Sequence, residues 1–101
     1  MQFYSTSHQS PKASLREAVM TGLAPDGGLY LPERIPLIPG AFFNNIADMS
    51  IRDISYVVAD LILGGDIPSA EIKNIVKETF TFDIPLRKLG EDRFVLELFH
   101  G

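Results

Sequence analysis

Apolar and polar positions divide the chain into short, well-punctuated segments. Residues 2–6 carry Phe3 and Tyr4 in a polar-aromatic stretch that reads as a strand. Ser14-Leu15-Arg16-Glu17 has the spacing of a capping box, in which the serine hydroxyl accepts from the third backbone N–H and the glutamate reaches back. A helix starting there puts Leu15, Ala18 and Val19 on one face. Gly22 is placed to close it in the left-handed conformation that glycine adopts without strain. In Pro25-Asp26-Gly27-Gly28 the proline presets one dihedral, the aspartate bonds its own turn, and one glycine takes positive φ. Leu29, Tyr30 and Leu31 follow as a brief strand.

Pro32, Pro36 and Pro39 make residues 33–40 an extended connector without ladder hydrogen bonds, though Ile35, Leu37 and Ile38 ask to be buried. Ala41 to Ala47 reads as a short helix with Phe42, Phe43 and Ile46 inward. Ser50 to Asp53 is a second capping box. The helix after it carries Ile51, Ile54, Val57, Val58, Leu61 and Ile62 at the spacing of one buried stripe, stopped by Gly64-Gly65. A further helix, entered through Pro68, runs from about Ser69 to Phe80 with Ile72, Ile75, Val76 and Phe80 inward. Residues 85–89, the turn Gly90-Glu91-Asp92 and residues 93–99 predict a hairpin. Its second strand is almost continuously apolar, as in a strand covered on both faces.

The pattern therefore predicts a small α/β domain over residues 1–101, with three to four helices and a few short strands that include a C-terminal hairpin. A domain usually finishes in a polar tail, not just after a strongly apolar strand. The expectation is that the natural chain continues past Gly101.

Composition narrows the function classes. With 9 Lys+Arg against 13 Asp+Glu the formal charge is −4, and the basic residues are scattered. No basic face exists for nucleic acid or an anionic membrane. Cysteine is absent and only His8 and His100 are available, which excludes disulfides, thiolate metal sites and a histidine-rich zinc site. The first residues lack the basic start and apolar stretch of a signal peptide, and no apolar run is long enough to span a bilayer. These features read as a cytoplasmic, soluble protein.

Few residues offer chemistry. Ser5, Thr6 and Lys12, near Ser7 and His8, supply hydroxyls and positive charge suited to an anion such as phosphate, or else belong to a polar edge strand and its loop. Gly27-Gly28 reads as a tight turn before a strand, or as a place where backbone approaches a ligand. Asp26 and Asp60 read as solvated or capping carboxylates. Glu97 and His100 stand at the end of the apolar strand, where side chains of open α/β sheets often face a site. His100 either contacts a substrate or cofactor, or is a satisfied structural histidine.

Tyr4-Ser5-Thr6, Ser14 to Ala18 (SLREA), Gly22 to Tyr30 (GLAPDGGLY) with Pro32, and Leu96 to Gly101 (LELFHG) occur in an order and spacing that resemble the N-terminal domain of threonine synthases. The resemblance spans the whole chain. It implies a pyridoxal-phosphate (PLP) enzyme that converts O-phospho-L-homoserine and water to L-threonine and phosphate, with the cofactor ring as electron sink. In such enzymes the lysine that carries the cofactor follows LELFHG within a Pro-Thr-x-Ala-Phe-Lys-Asp stretch. None of Lys12, Lys73, Lys77 or Lys88 matches it, so the resemblance implies no catalytic residue here and a chain that is inactive and cofactor-free by itself. It implies that the domain packs against PLP-binding domains, and that Phe99, His100 and Gly101 lie beside the active site. Many members carry Arg where this chain has Ser7, which leaves the role of the N-terminal stretch open. Two alternatives remain: a related PLP-dependent phospho-lyase, and a non-catalytic α/β module for assembly or regulation.

Overall fold

In the computed structural model, which describes residues 1–100, local signals set most of the element boundaries. Ser14 caps helix α1 (Leu15–Thr21): its hydroxyl accepts from the Glu17 N–H, and the Glu17 carboxylate accepts from the Ser14 N–H. Gly22 closes that helix with φ 75°, its N–H donating to the Ala18 carbonyl at 3.1 Å. Ser50 and Asp53 form the same reciprocal box at the start of helix α3 (Ile51–Leu63). Each box satisfies two N–H groups that a helix start otherwise leaves unpaired.

Strand β1 (Gln2–Ser5) lies between β2 (Ala13–Ser14) and β3 (Tyr30–Pro32) in a three-stranded antiparallel sheet, with Phe3 opposite Ala13 on one side and Pro32 on the other. Alternation along β1 turns Phe3 and Ser5 to the buried face. There Phe3 joins Ala13, Leu15 and Ala18, with Ile62, Leu63 and Ile67 packed against them, so the end of α3 closes over the sheet and α1. Helix α4 (Ser69–Thr79) returns along α3 and buries Ile72 and Val76. Arg52 Nε donates to the Phe80 carbonyl at 2.8 Å, joining the start of α3 to the end of α4. A short helix α2 (Gly40–Asn45) runs into a 3₁₀ turn over Ile46–Asp48. Strands β4 (Leu86–Gly90) and β5 (Arg93–Leu96) form a separate two-stranded ribbon. The expected α/β class, its four helices and its C-terminal hairpin are therefore present.

Several side chains expected inside are outside. Val19 points to solvent, so α1 buries only Leu15 and Ala18. Ile35 and Leu37 in the connector are 82% and 94% exposed, and Phe43 and Ile75 are also exposed. The second ribbon strand ends at Leu96, not Phe99, and every residue of both strands is exposed instead of covered on both faces. The radius of gyration is 16.5 Å, against about 13 Å for a closed domain of this length. The elements thus do not close around one core, and an apolar side chain outside that small core finds no neighbour. No helix among the described residues is long and apolar enough to cross a membrane.

Ile72 is the largest fully buried apolar side chain. Ile72→Ala is expected to lower the free energy of unfolding by roughly 2–5 kcal/mol, as measured by urea titration followed by circular dichroism.

Candidate functional site

The polar residues near the N-terminus converge on one carboxylate. The turn after α1 folds back so that the Ala24 N–H donates to the Gly28 carbonyl and the Gly27 N–H donates to the Ala24 carbonyl, with Gly27 at φ 81°. This brings Asp26 beneath the end of β1. The Ser5 hydroxyl donates to Asp26 Oδ1 at 2.6 Å, the Gly28 N–H donates to the same oxygen at 3.0 Å, and the Gln9 N–H donates to Oδ2 at 3.0 Å. The Asp26 N–H in turn donates to the Ser10 hydroxyl at 3.1 Å. Ser5 is only 1% exposed, and its oxygen also accepts from the Ser7 N–H.

Gly28 is glycine for a steric reason. A Cβ there would run into the Ser5 hydroxyl and would stand 2.9 Å from the Ser7 nitrogen. The loop between β1 and β2 closes with His8 in the left-handed region at φ 57°, its ring stacked on Tyr4. The Ser5 hydroxyl holds the Asp26 carboxyl well below the usual carboxylate range, with the Gly28 and Gln9 N–H groups adding to the effect against the upward push of partial burial.

The anion-binding candidates Ser5, Thr6 and Lys12 are each engaged inside the protein. Ser5 serves Asp26, the Thr6 hydroxyl accepts from the Leu29 N–H at 2.9 Å, and Lys12 pairs with Glu33 at 2.9 Å. Ser5 is thus tied to Asp26, whereas Lys12 is tied to a different carboxylate. Asp26, read from sequence as a solvated or capping group, does bond its own turn through Gly28. Its link to Ser5 has no local sequence signal beyond the alternation that buries Phe3, which also buries Ser5 and so demands a partner for its hydroxyl.

The other candidates sit beyond the ribbon. Glu97 accepts from Arg87 Nε at 3.0 Å, and its own N–H donates to the Pro85 carbonyl at 3.0 Å. Phe99 is 84% exposed. His100 stacks on Phe82, and Gly101 lies outside the described residues. The surroundings of the four lysines, none of which matches the cofactor-bearing lysine that the resemblance implies, do not fit PLP. Lys12 is committed to Glu33, and Lys88 stands on the exposed ribbon. Lys73 and Lys77 line an open cleft of about 510 Å³ with Arg52 and Asp53, which gives a phosphate no enclosed cradle.

Acid should loosen this arrangement. Asp26, Glu17, Glu33 and Asp53 all have lowered carboxyl pKa values when folded. The unfolded chain therefore binds protons first as pH falls through the ordinary carboxylate range near 4. Stability is expected to be full at neutral pH and to decline below about pH 4. Asp26→Asn should be less stable at pH 7, because its amide meets the Gln9 N–H as donor against donor, and should lose part of the acid dependence. Gly28→Ala should cost roughly 1–3 kcal/mol through overpacking. Urea titrations between pH 3 and 7 measure both.

Comparison with known proteins agrees with this architecture. Residues 2–80 match the model of the family described as threonine synthase N terminus. The threonine synthase of Haemophilus influenzae is 34% identical over 101 residues, covering 100% of this chain and 23% of that protein. The PLP-bound threonine synthase from Brucella melitensis superposes with a TM-score of 0.83 at 36% identity, over 100% of this chain and 23% of its own. The Escherichia coli threonine synthase gives 0.86 at 26% identity, over 100% and 24%. The chain thus spans about a quarter of the length of these relatives. By the family match over residues 2–80 and the full-length likeness to solved enzymes, the chain belongs to the threonine synthase family.

Proposed function

We propose that the chain is the N-terminal domain of a cytoplasmic, PLP-dependent threonine synthase that converts O-phospho-L-homoserine and water to L-threonine and phosphate. The observation that carries this reading is the extent of the likeness: it runs the full length of the chain, with the Leu96–Gly101 segment included. PLP supplies an electron sink for proton loss and phosphate departure. In this reading the cofactor is carried by the remainder of the protein, where the resemblance places the PLP-bearing lysine.

Within that enzyme the domain has two tasks. Its ribbon offers a surface to the PLP-binding domains. Leu86 lies opposite Leu96, and Lys88 opposite Phe94, on one face. The Arg87–Glu97 ion pair lies on the other. A lone two-stranded ribbon is marginal in water, and an apolar face with Leu86, Phe94 and Leu96 all exposed is suited to being covered by a partner surface. The second task belongs to Phe99, His100 and Gly101, which lead the chain toward the active site and bring the His100 imidazole within reach of substrate.

The full-length protein is expected to release phosphate from O-phospho-L-homoserine and form threonine in equal amount. Phosphate release without threonine would identify a phospho-lyase instead, and no release at all would favour a non-catalytic module. The 101-residue chain alone should show neither turnover nor PLP absorbance. His100→Ala in the full enzyme should lower turnover or weaken substrate affinity; unchanged values of both would remove His100 from the site.

A further inference from the structure

We infer that Phe82 is a positioning residue for His100, setting the plane of its imidazole for contact with substrate; this rests on the threonine synthase reading. The two rings are stacked with centroids 3.7 Å apart and planes 25° from parallel. They stand eighteen positions apart in sequence, and the ribbon turn brings them together. Phe82 is itself anchored. Its ring lies 6.0 Å from that of Phe80, whose carbonyl accepts from Arg52 at the start of α3. A line of contacts therefore runs from the helical pair to the segment that follows β5.

The form of the contact argues for positioning. A histidine that only supports structure commonly spends a ring nitrogen on a hydrogen bond. Among the described residues the His100 imidazole makes none. Phe82 holds the flat face of the ring, while Nδ1 and Nε2 lie on its edge and stay free to donate or accept. The stretch from Glu97 to His100 has few other restraints. Glu97 is pinned to Arg87 and Pro85, but Leu98 and Phe99 are exposed. Without Phe82 the imidazole would sample many orientations, and misplacing a substrate-contacting group costs rate more than binding when its contact matters in the transition state.

The test uses the full-length enzyme and three side chains at position 82. The imidazole resonances of His100, assigned by their loss in His100→Gln, should be shifted upfield by the Phe82 ring current in the wild type. Phe82→Leu keeps an apolar side chain but removes the flat face. It should return those resonances to unstacked positions and lower kcat for phosphate release by roughly tenfold to a hundredfold, with KM changed much less. Phe82→Tyr should restore both the upfield shift and kcat. A wild-type His100 without an upfield shift overturns the inference without any variant, and so does Phe82→Leu with the shift lost and kcat unchanged. Failure of the wild-type enzyme to act on O-phospho-L-homoserine would instead overturn the synthase reading and the positioning role with it, and it is seen before any substitution is made.

Discussion

The hydrogen bonds converging on Asp26 tie together the connections of the three-stranded sheet. Strand β1 is four residues long and β2 only two, so the ladder itself is short. One carboxylate ties the end of β1 through Ser5, the following loop through Gln9, and the approach to β3 through Gly28. The strands can be short because their connections are joined to each other at a charged acceptor, and charge-assisted hydrogen bonds are the stronger kind. The core then forms further along the same face of β1, where Phe3 meets α1 and the end of α3.

That core is small, and the fold spreads away from it. The proline-spaced connector leaves the sheet without burying its own apolar residues, the helical pair buries mainly Ile72 and Val76 between its members, and the ribbon buries nothing of its own. Such a shape is poorly explained by self-sufficiency. It is well explained if surfaces carrying Val19, Leu37, Phe94 and Leu96 meet further polypeptide, as they would in relatives more than four times as long.

The same fact separates what the sequence discloses from what it conceals. Capping boxes at Ser14 and Ser50, the closing Gly22 and the turn glycines are local, because the atoms that interact are within a few residues of one another; all were readable. The stripe on α3 was readable as a period. Burial was not. A hydrophobic residue such as Leu37 or Val95 signals a preference for burial, and both are exposed here. The Ser5–Asp26 bond spans twenty-one residues and leaves only an indirect trace, a serine on the inward face of a strand. Phe82 and His100 leave no trace at all, since stacking of two rings across a hairpin has no spacing rule.

The uncovered ribbon has a consequence for biosynthesis. In the full-length enzyme proposed above, this domain leaves the ribosome first, and at roughly 5–20 residues per second the remaining polypeptide needs tens of seconds to appear. Throughout that interval Leu86, Phe94 and Leu96 face solvent on a strand pair with two open edges. The nascent chain is then a natural client for chaperones, and the order of synthesis, more than the final fold, determines how long it stays one.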